Sequence, residues 1–359
     1  MDDSAETRAV RASERLDWEA LAAYARPRLA AALGGGFDEA APLAVEQFPG
    51  GHSNLTYLLR FGARELVLRR PPFGPVPPRA HDMAREFHIL EAVHPVYPLA
   101  PSPLVLCVDA RVVGSTFYLM ERRRGLVVRT EEPPELDGRP GERRRASAAL
   151  VDALADLHAV DIEAHGLARL GKPAGFVERQ VRGWAERWRG SQTSAVPEMD
   201  ALAAWLVERL PPDPPRPTLV HGDFKLDNVM LDAGDVGRVV GVFDWEMSAV
   251  GDPLVDLGIL LGYWVHTHDE SQRDAVGTVT HRPGWFTREE VLARYGARTG
   301  LDLADVTFYE VFAVFKLAVV LQQIFYRYHR GQTDDPRFAA LDERVAWLAR
   351  IASELAEHA

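Results

Sequence analysis

A chain of 359 residues with 47% hydrophobic and 26% charged side chains can bury one large core or two of ordinary size, and it contains no low-complexity tract. Its formal net charge of -11 argues against general binding to nucleic acid or to an anionic membrane surface, since either needs a positive field. The single cysteine, Cys107, can form no internal disulfide and reads as a buried strand residue.

The opening MDDSAETRAV lacks the basic start and apolar stretch of an export signal. The apolar runs PLVDLGILLGYWV and VFAVFKLAVVL are short and broken by charge, so the expectation is a cytoplasmic protein with no membrane partner. Residues 16–33 have helical periodicity and stop at three glycines, which makes residues 1–40 a helical extension. The period then falls to two. Strands are expected over 43–48, 54–61 and 65–70, the last two joined as a hairpin by Gly62, Ala63 and Arg64. A proline-rich loop leads to a helix carrying Met83, Phe87, Leu90 and Val93 on one face, and strands over 104–110 and 116–122 follow. Beyond Gly125 the pattern turns helical, with Leu150, Leu154, Leu157 and Val160 at helical spacing and a run over 306–328 that is apolar nearly all round, hence buried. Between them lie two short β runs, TLVHGDF (218–224) and GVFDWE (241–246), expected to pair as a hairpin. The chain therefore reads as α+β, with a small antiparallel unit over 41–122 and a larger helical unit over 123–359.

The segment HGDFKLDNVMLD (221–232) concentrates acids between apolar flanks. Asp223 follows a strand, Asn228 comes five residues later, and Asp244 sixteen beyond that. Oxygen ligands from an asparagine and an aspartate, without a cysteine or histidine cluster, suit Mg²⁺ rather than zinc. A carboxylate left off the metal can accept a proton from an incoming hydroxyl, and together these are the parts of phosphoryl transfer. Lone aspartates in such loops are ordinarily solvated turn residues, the reading for Asp232, for Asp235 and for Asp227, which is expected to pair with Lys225 at the surface. His221 is expected to brace the loop through its ring, Asp252 to cap a helix before Pro253, and Asp256 to be a buried carboxylate under the catalytic loop. His266, His268 and His281 lack accompanying ligands and read as surface or pocket residues.

HGDFKLDNVML resembles the H-G-D-x-x-x-x-N catalytic loop of the aminoglycoside phosphotransferase-like kinases, and VFDWEMSAVGDPLVDLG resembles their metal-binding segment. GGHSNLTYLL, LVLRRPP, HDMAREFHIL and GDPLVDLGILLGYW resemble the subgroup of kinase domains fused to acyl-CoA dehydrogenases, and the resemblance covers roughly residues 40 to 330. It implies a bilobal protein-kinase-like fold and transfer of the γ-phosphoryl group of ATP, with Mg²⁺, to a hydroxyl of a small molecule: an aminoglycoside, a hydroxyacyl-CoA or another alcohol. It makes Asp223 the catalytic base or hydroxyl orienter and Asn228 and Asp244 the metal ligands. Glu86 becomes the helix glutamate that holds a strand cation, a position where Arg69, with Arg70 behind it, replaces the lysine expected there. Arginine pairs bidentately but needs more room than an ammonium. FPGGHSN (48–54) lacks G-x-G-x-x-G, yet Gly50, Gly51, Ser53 and Asn54 suit close approach to phosphates, while the backbone of Met120, Glu121 and Arg122 is expected at the adenine. The missing lysine and glycine fingerprint support a second reading, a nucleotide-binding pseudokinase acting as a regulatory or partner-binding module. The arginine runs over 121–125 and 142–147 read as solvated faces able to attract a phosphorylated or CoA-bearing substrate.

Overall fold

The structure, a computed structural model, describes residues 6–49, 54–74, 81–265 and 278–359. The chain divides into two compact units: the first runs to Arg124 and takes back Gly241–Glu246, and the second comprises Gly125–Val240 and Met247–Ala359.

In the first unit, α1 (Trp18–Leu33) starts where the Asp17 carboxylate accepts the Ala20 amide at 2.9 Å, a side-chain cap for an otherwise orphaned donor. The chain continues through β1 (Leu43–Gln47), β2 (Leu55–Phe61), β3 (Arg64–Arg70), α2 (Met83–Val93), β4 (Pro103–Cys107), α3 (Ala110–Val113) and β5 (Phe117–Glu121). The strands form one antiparallel sheet in the order β1-β2-β3-β5-β4. Phe61 pairs with Arg64 across a two-residue turn whose Gly62 has φ 57°, a left-handed conformation that costs glycine little. Alternation along the strands sends Tyr57, Leu59, Phe61, Leu66, Leu68 and Leu119 to one core, into which α1 packs Leu21, Ala25 and Leu29. Cys107 lies buried in that core, as its apolar surroundings imply.

The second unit contains β6 (Leu126–Val127), α4 (Pro140–His158), α5 (Phe176–Ser191), α6 (Pro197–Glu208), β7 (Thr218–Val220), β8 (Val229–Leu231), the start of β9 (Val239–Val242), β10 (Ala249–Gly251), α7 (Pro253–Gly262), α8 (Arg288–Thr299), α9 (Val306–His329) and α10 (Leu341–Glu357). Its core gathers around α9, whose Phe308, Phe312, Phe315 and Val319 cluster with Trp184, Trp188, Val345 and Leu348. By length and apolar composition α9 would also qualify to cross a bilayer, but 67% of its most apolar stretch is buried inside the protein. α7 and α9 approach backbone to backbone at Gly258, where a Cβ would lie 2.5 Å from the Tyr309 carbonyl oxygen.

The hairpin expected between TLVHGDF and GVFDWE does not form. β7 pairs instead with β10, Val220 opposite Ala249, and β8 adjoins β9 in a separate sheet. The reason is local: Asp232 accepts the Gly234 amide at 2.7 Å and closes a tight turn immediately after β8, so the nearest apolar runs pair with each other.

Candidate active site

In the second unit the chain leaves β7 into the loop His221–Asn228. Gly222 has φ 80°, and a Cβ on it would sit 2.7 Å from the Met247 carbonyl oxygen, so both backbone shape and space demand glycine between the histidine and the aspartate. Asp256 on α7 is fully buried and accepts the amides of His221 at 2.6 Å and Gly222 at 2.7 Å; His158 reaches it at 3.2 Å, and Tyr295 lies 2.7 Å from the other nitrogen of that imidazole. Burial would raise the Asp256 carboxyl, but His158, His221 and these hydrogen bonds bring it below its ordinary range. The His221 ring accepts the Asp223 amide at 3.2 Å, and Asp252 caps α7 by accepting the Leu254 amide at 2.9 Å. All three residues therefore stand as the sequence suggests.

Around Asp223 the charges are positive. Lys225 Nζ donates to Asp223 Oδ2 at 2.7 Å, and Lys316 Nζ, from α9, lies 4.0 Å from Oδ1 while donating to the Gly222 carbonyl at 2.6 Å. Burial pushes the Asp223 carboxyl up, yet the two ammoniums outweigh it and hold it at about 2. Asn228 turns its amide nitrogen to the Asp223 carbonyl at 2.9 Å and to Oδ2 at 3.1 Å, which leaves its Oδ1 as the oxygen suited to a hard cation. Lys225 bonds directly to Asp223, and the exposed Asp227 still feels its charge, so the expected pairing holds as an electrostatic interaction beside that contact. Lys316, eighty-eight positions beyond Asn228, carries no local motif, and sequence reasoning missed it.

In the first unit, Arg69 of β3 places Nε 3.2 Å from Glu86 of α2 and Nη2 2.6 Å from Asp244. Glu86 is 1% exposed, and burial pushes its carboxyl up to about 7 against the pull of Arg69. Asp244 has φ 71°, a left-handed conformation that is uncommon outside glycine and costs strain energy, as backbone at working sites often does. Asn54 donates to Glu246 at 3.2 Å and lies 2.8 Å from the His81 ring. Glu246 was legible only as a second acid two places after Asp244. Arg70 turns away: its guanidinium donates to the Val113 carbonyl and stacks 4.0 Å over Phe73. Gly50, Gly51 and Ser53 lie outside the described residues, as do His266 and His268.

Met120 is buried opposite Val67, Glu121 accepts the Ser102 amide at 2.7 Å, and Arg122 pairs with Glu6 and lies 5.0 Å over the Phe48 ring. The arginine runs are also matched: Arg123 to Glu121, Arg124 to Glu65, Arg143 to Glu132, Arg144 to Glu290, and Arg145 to Glu142. Among the described residues no three His, Cys, Asp or Glu side chains converge as a metal cluster.

The pattern of the phosphotransferase enzyme family matches residues 44–291. Acyl-CoA dehydrogenase family member 11 of Rattus norvegicus is 36% identical over 335 residues, spanning 92% of this chain and 42% of its own length. Acyl-CoA dehydrogenase family member 10 of Mus musculus is 34% identical over 348 residues, 96% of this chain and 32% of its own. The chain thus covers less than half the length of these relatives. A Ralstonia eutropha protein assigned provisionally as an aminoglycoside phosphotransferase superposes with a TM-score of 0.76 at 30% identity, over 96% of this chain and 99% of that one. Aminoglycoside phosphotransferase APH(4)-Ia, solved with AMP-PNP and hygromycin B, shares the fold with a TM-score of 0.56 at 16% identity, over 88% of this chain and 94% of that one.

Proposed function

The chain belongs to the phosphotransferase enzyme family and has its α+β protein-kinase-like fold, and from that premise we propose a kinase that uses ATP and Mg²⁺ to phosphorylate the hydroxyl of a small molecule bearing an anionic group. The observation that carries this reading is the Asp223 loop. Its carboxylate is held ionised at about 2 by Lys225 and Lys316, and the backbone behind it is pinned by Asp256. A carboxylate so acidic is a poor base toward an alcohol in its ground state. Its work is to accept the hydroxyl hydrogen bond, aim the oxygen, and take the proton late in the transfer.

In the first unit Asp244 and Glu246 are carboxylates of the kind a divalent cation takes, and in the second Asn228 keeps a carbonyl oxygen suited to one. Asn228 and Asp244 would hold Mg²⁺, which when bound neutralises charge on the nucleotide phosphates. Arg69, braced by Glu86, would bind those phosphates, and this chain's own part in the reaction is otherwise positioning and charge complementarity.

The acceptor class follows from the charges near Asp223. Lys225 and Lys316 flank it, and Arg187 lies 4.4 Å over the Trp184 ring that Lys316 approaches from 5.6 Å. The ammoniums of Lys225 and Lys316 beside Asp223, on which Asp227 and Asp256 also act, would suit an alcohol carrying phosphate or carboxylate, such as a hydroxyacyl-CoA, better than a polycationic aminoglycoside. The arginine runs do not supply this attraction, because each is already matched by carboxylates. The test is an ATP-consumption screen with Mg²⁺ across hydroxyacyl-CoAs, other acidic alcohols, sugars, amino alcohols and aminoglycosides, with Asp223→Asn as blank. Turnover confined to aminoglycosides would overturn the acceptor class. Nucleotide binding with no transfer to any acceptor would favour the pseudokinase module, a reading that draws on the hold of Arg69 on Asp244.

A further inference from the structure

Lys316 sits in the long apolar helix α9, 8% exposed, at a place where methionine or leucine would fill the same space. A buried ammonium is costly unless paired, so its presence asks what offsets it. Its Nζ donates to the Gly222 carbonyl at 2.6 Å and stands 4.0 Å from Asp223 Oδ1. The same stretch of backbone is gripped from α7, where Asp256 takes the amides of His221 and Gly222, and the His221 ring takes the amide of Asp223. The His221 carbonyl accepts from Ser248 at 3.2 Å, so each backbone N–H and C=O from the His221 amide to the Asp223 amide has a partner. Lys316 supplies a grip that comes from α9, the helix around which the unit's core is built.

We propose that Lys316 is a positioning residue for the transfer: it fixes the Gly222–Asp223 peptide and draws one carboxylate oxygen of Asp223 toward α9, while Lys225 holds the other. With Oδ2 bonded to Lys225 and Asn228 and Oδ1 facing the Lys316 ammonium at 4.0 Å, the carboxylate is restricted in orientation, and orientation is the main thing a phosphoryl-transfer aspartate contributes. This rests on Asp223 being the hydroxyl-orienting residue, and it adds a residue that neither the sequence motifs nor family membership assigns.

The experiment compares wild type, Lys316→Met, which keeps the volume, and Lys316→Gln, which keeps a donor for the Gly222 carbonyl without the charge. Magnesium-dependent ATP consumption is measured with water as acceptor and with whichever acceptor the screen yields. Loss of one charge-assisted hydrogen bond predicts a kcat lower by about 10- to 100-fold in Lys316→Met, a smaller loss in Lys316→Gln, and a KM for ATP within about twofold of wild type. In the Asp223→Asn background the same substitution should cost nothing further, because the group it aims is gone. A kcat close to wild type, or a full multiplicative loss on top of Asp223→Asn, overturns the proposal. Urea unfolding of the two single variants and the double variant gives a readout that needs no turnover: coupling between positions 316 and 223 is expected, and strict additivity overturns the contact. If wild type consumes no ATP, the kinase reading fails while the unfolding cycle still decides the Lys316 contact.

Discussion

In the first unit one guanidinium, Arg69, is shared by two carboxylates, Glu86 at 3.2 Å and Asp244 at 2.6 Å; in the second, one carboxylate, Asp223, is shared by two ammoniums, Lys225 at 2.7 Å and Lys316 at 4.0 Å. The interactions are of one kind and the stoichiometry is reversed. The consequences show in the protonation of the buried acids, with Glu86 pushed up to about 7 and Asp223 held at about 2. A set with surplus carboxylate draws a cation, and a set with surplus ammonium draws an anion. That division suits the proposed kinase, in which acids would take part in holding a metal and an anionic acceptor would meet the ammoniums.

The comparison breaks most visibly at Asp223. Asp223→Asn removes the carboxylate proposed to orient the hydroxyl and should lower kcat about 10³-fold, with nucleotide affinity, read by titration of a fluorescent ATP analogue, nearly unchanged. Normal turnover in that variant would end the assignment. Next in size is Asp256→Ala, which strands two buried amides and the His158 ring, and should cost about 3 kcal/mol in urea unfolding. Because the folded-state carboxyl lies below its unfolded value, the Asp256 contribution is full above the ordinary carboxylate range and is lost as pH falls through the folded value. An Asp256→Ala variant as stable as wild type would show that the loop does not need its brace.

What the sequence reveals and what it hides divide along the same line. The strand and helix succession was legible because hydrophobic period is a local property, and the α9 helix announced its own burial over 306–328 against an observed Val306–His329. His221 and Asp252 were placed correctly because their jobs, a ring under a loop and a helix cap, are set by residues close in the chain, whereas Asp256 braces amides 34 and 35 positions away and was placed with the resembled metal-binding segment. Strand pairing was misread for Asp223 and Asp244, since the partner of β7 is chosen by a tight turn after β8 that frees β10. Lys316 was illegible for a deeper reason: an isolated lysine in an apolar helix looks like a break in the pattern, and its partner lies 94 residues away. Long-range charge pairing leaves no periodic trace.

The smaller tests fall on the first unit. Arg69→Ala should raise the KM for ATP about tenfold, the cost of one charged contact, and Arg69→Lys, which restores the cation the family resemblance implies, should recover most of it; an unchanged KM in the alanine variant removes Arg69 from the nucleotide site. The least effect concerns Glu86. Burial, opposed by Arg69, lifts its folded-state carboxyl from 4.5 to about 7. The folded protein then keeps a proton that the unfolded chain releases above about 4.5, so this residue stabilises least once both states are ionised: its contribution declines as pH rises from about 4.5 to about 7 and is level beyond. Glu86→Gln has no such proton to hold. Thermal unfolding of both proteins between pH 4.5 and 8 should give a difference that slopes across that window and flattens above it. A difference independent of pH would mean that Arg69 alone fully offsets the burial of Glu86, and the surplus of carboxylate in the first unit would no longer distinguish it from the second.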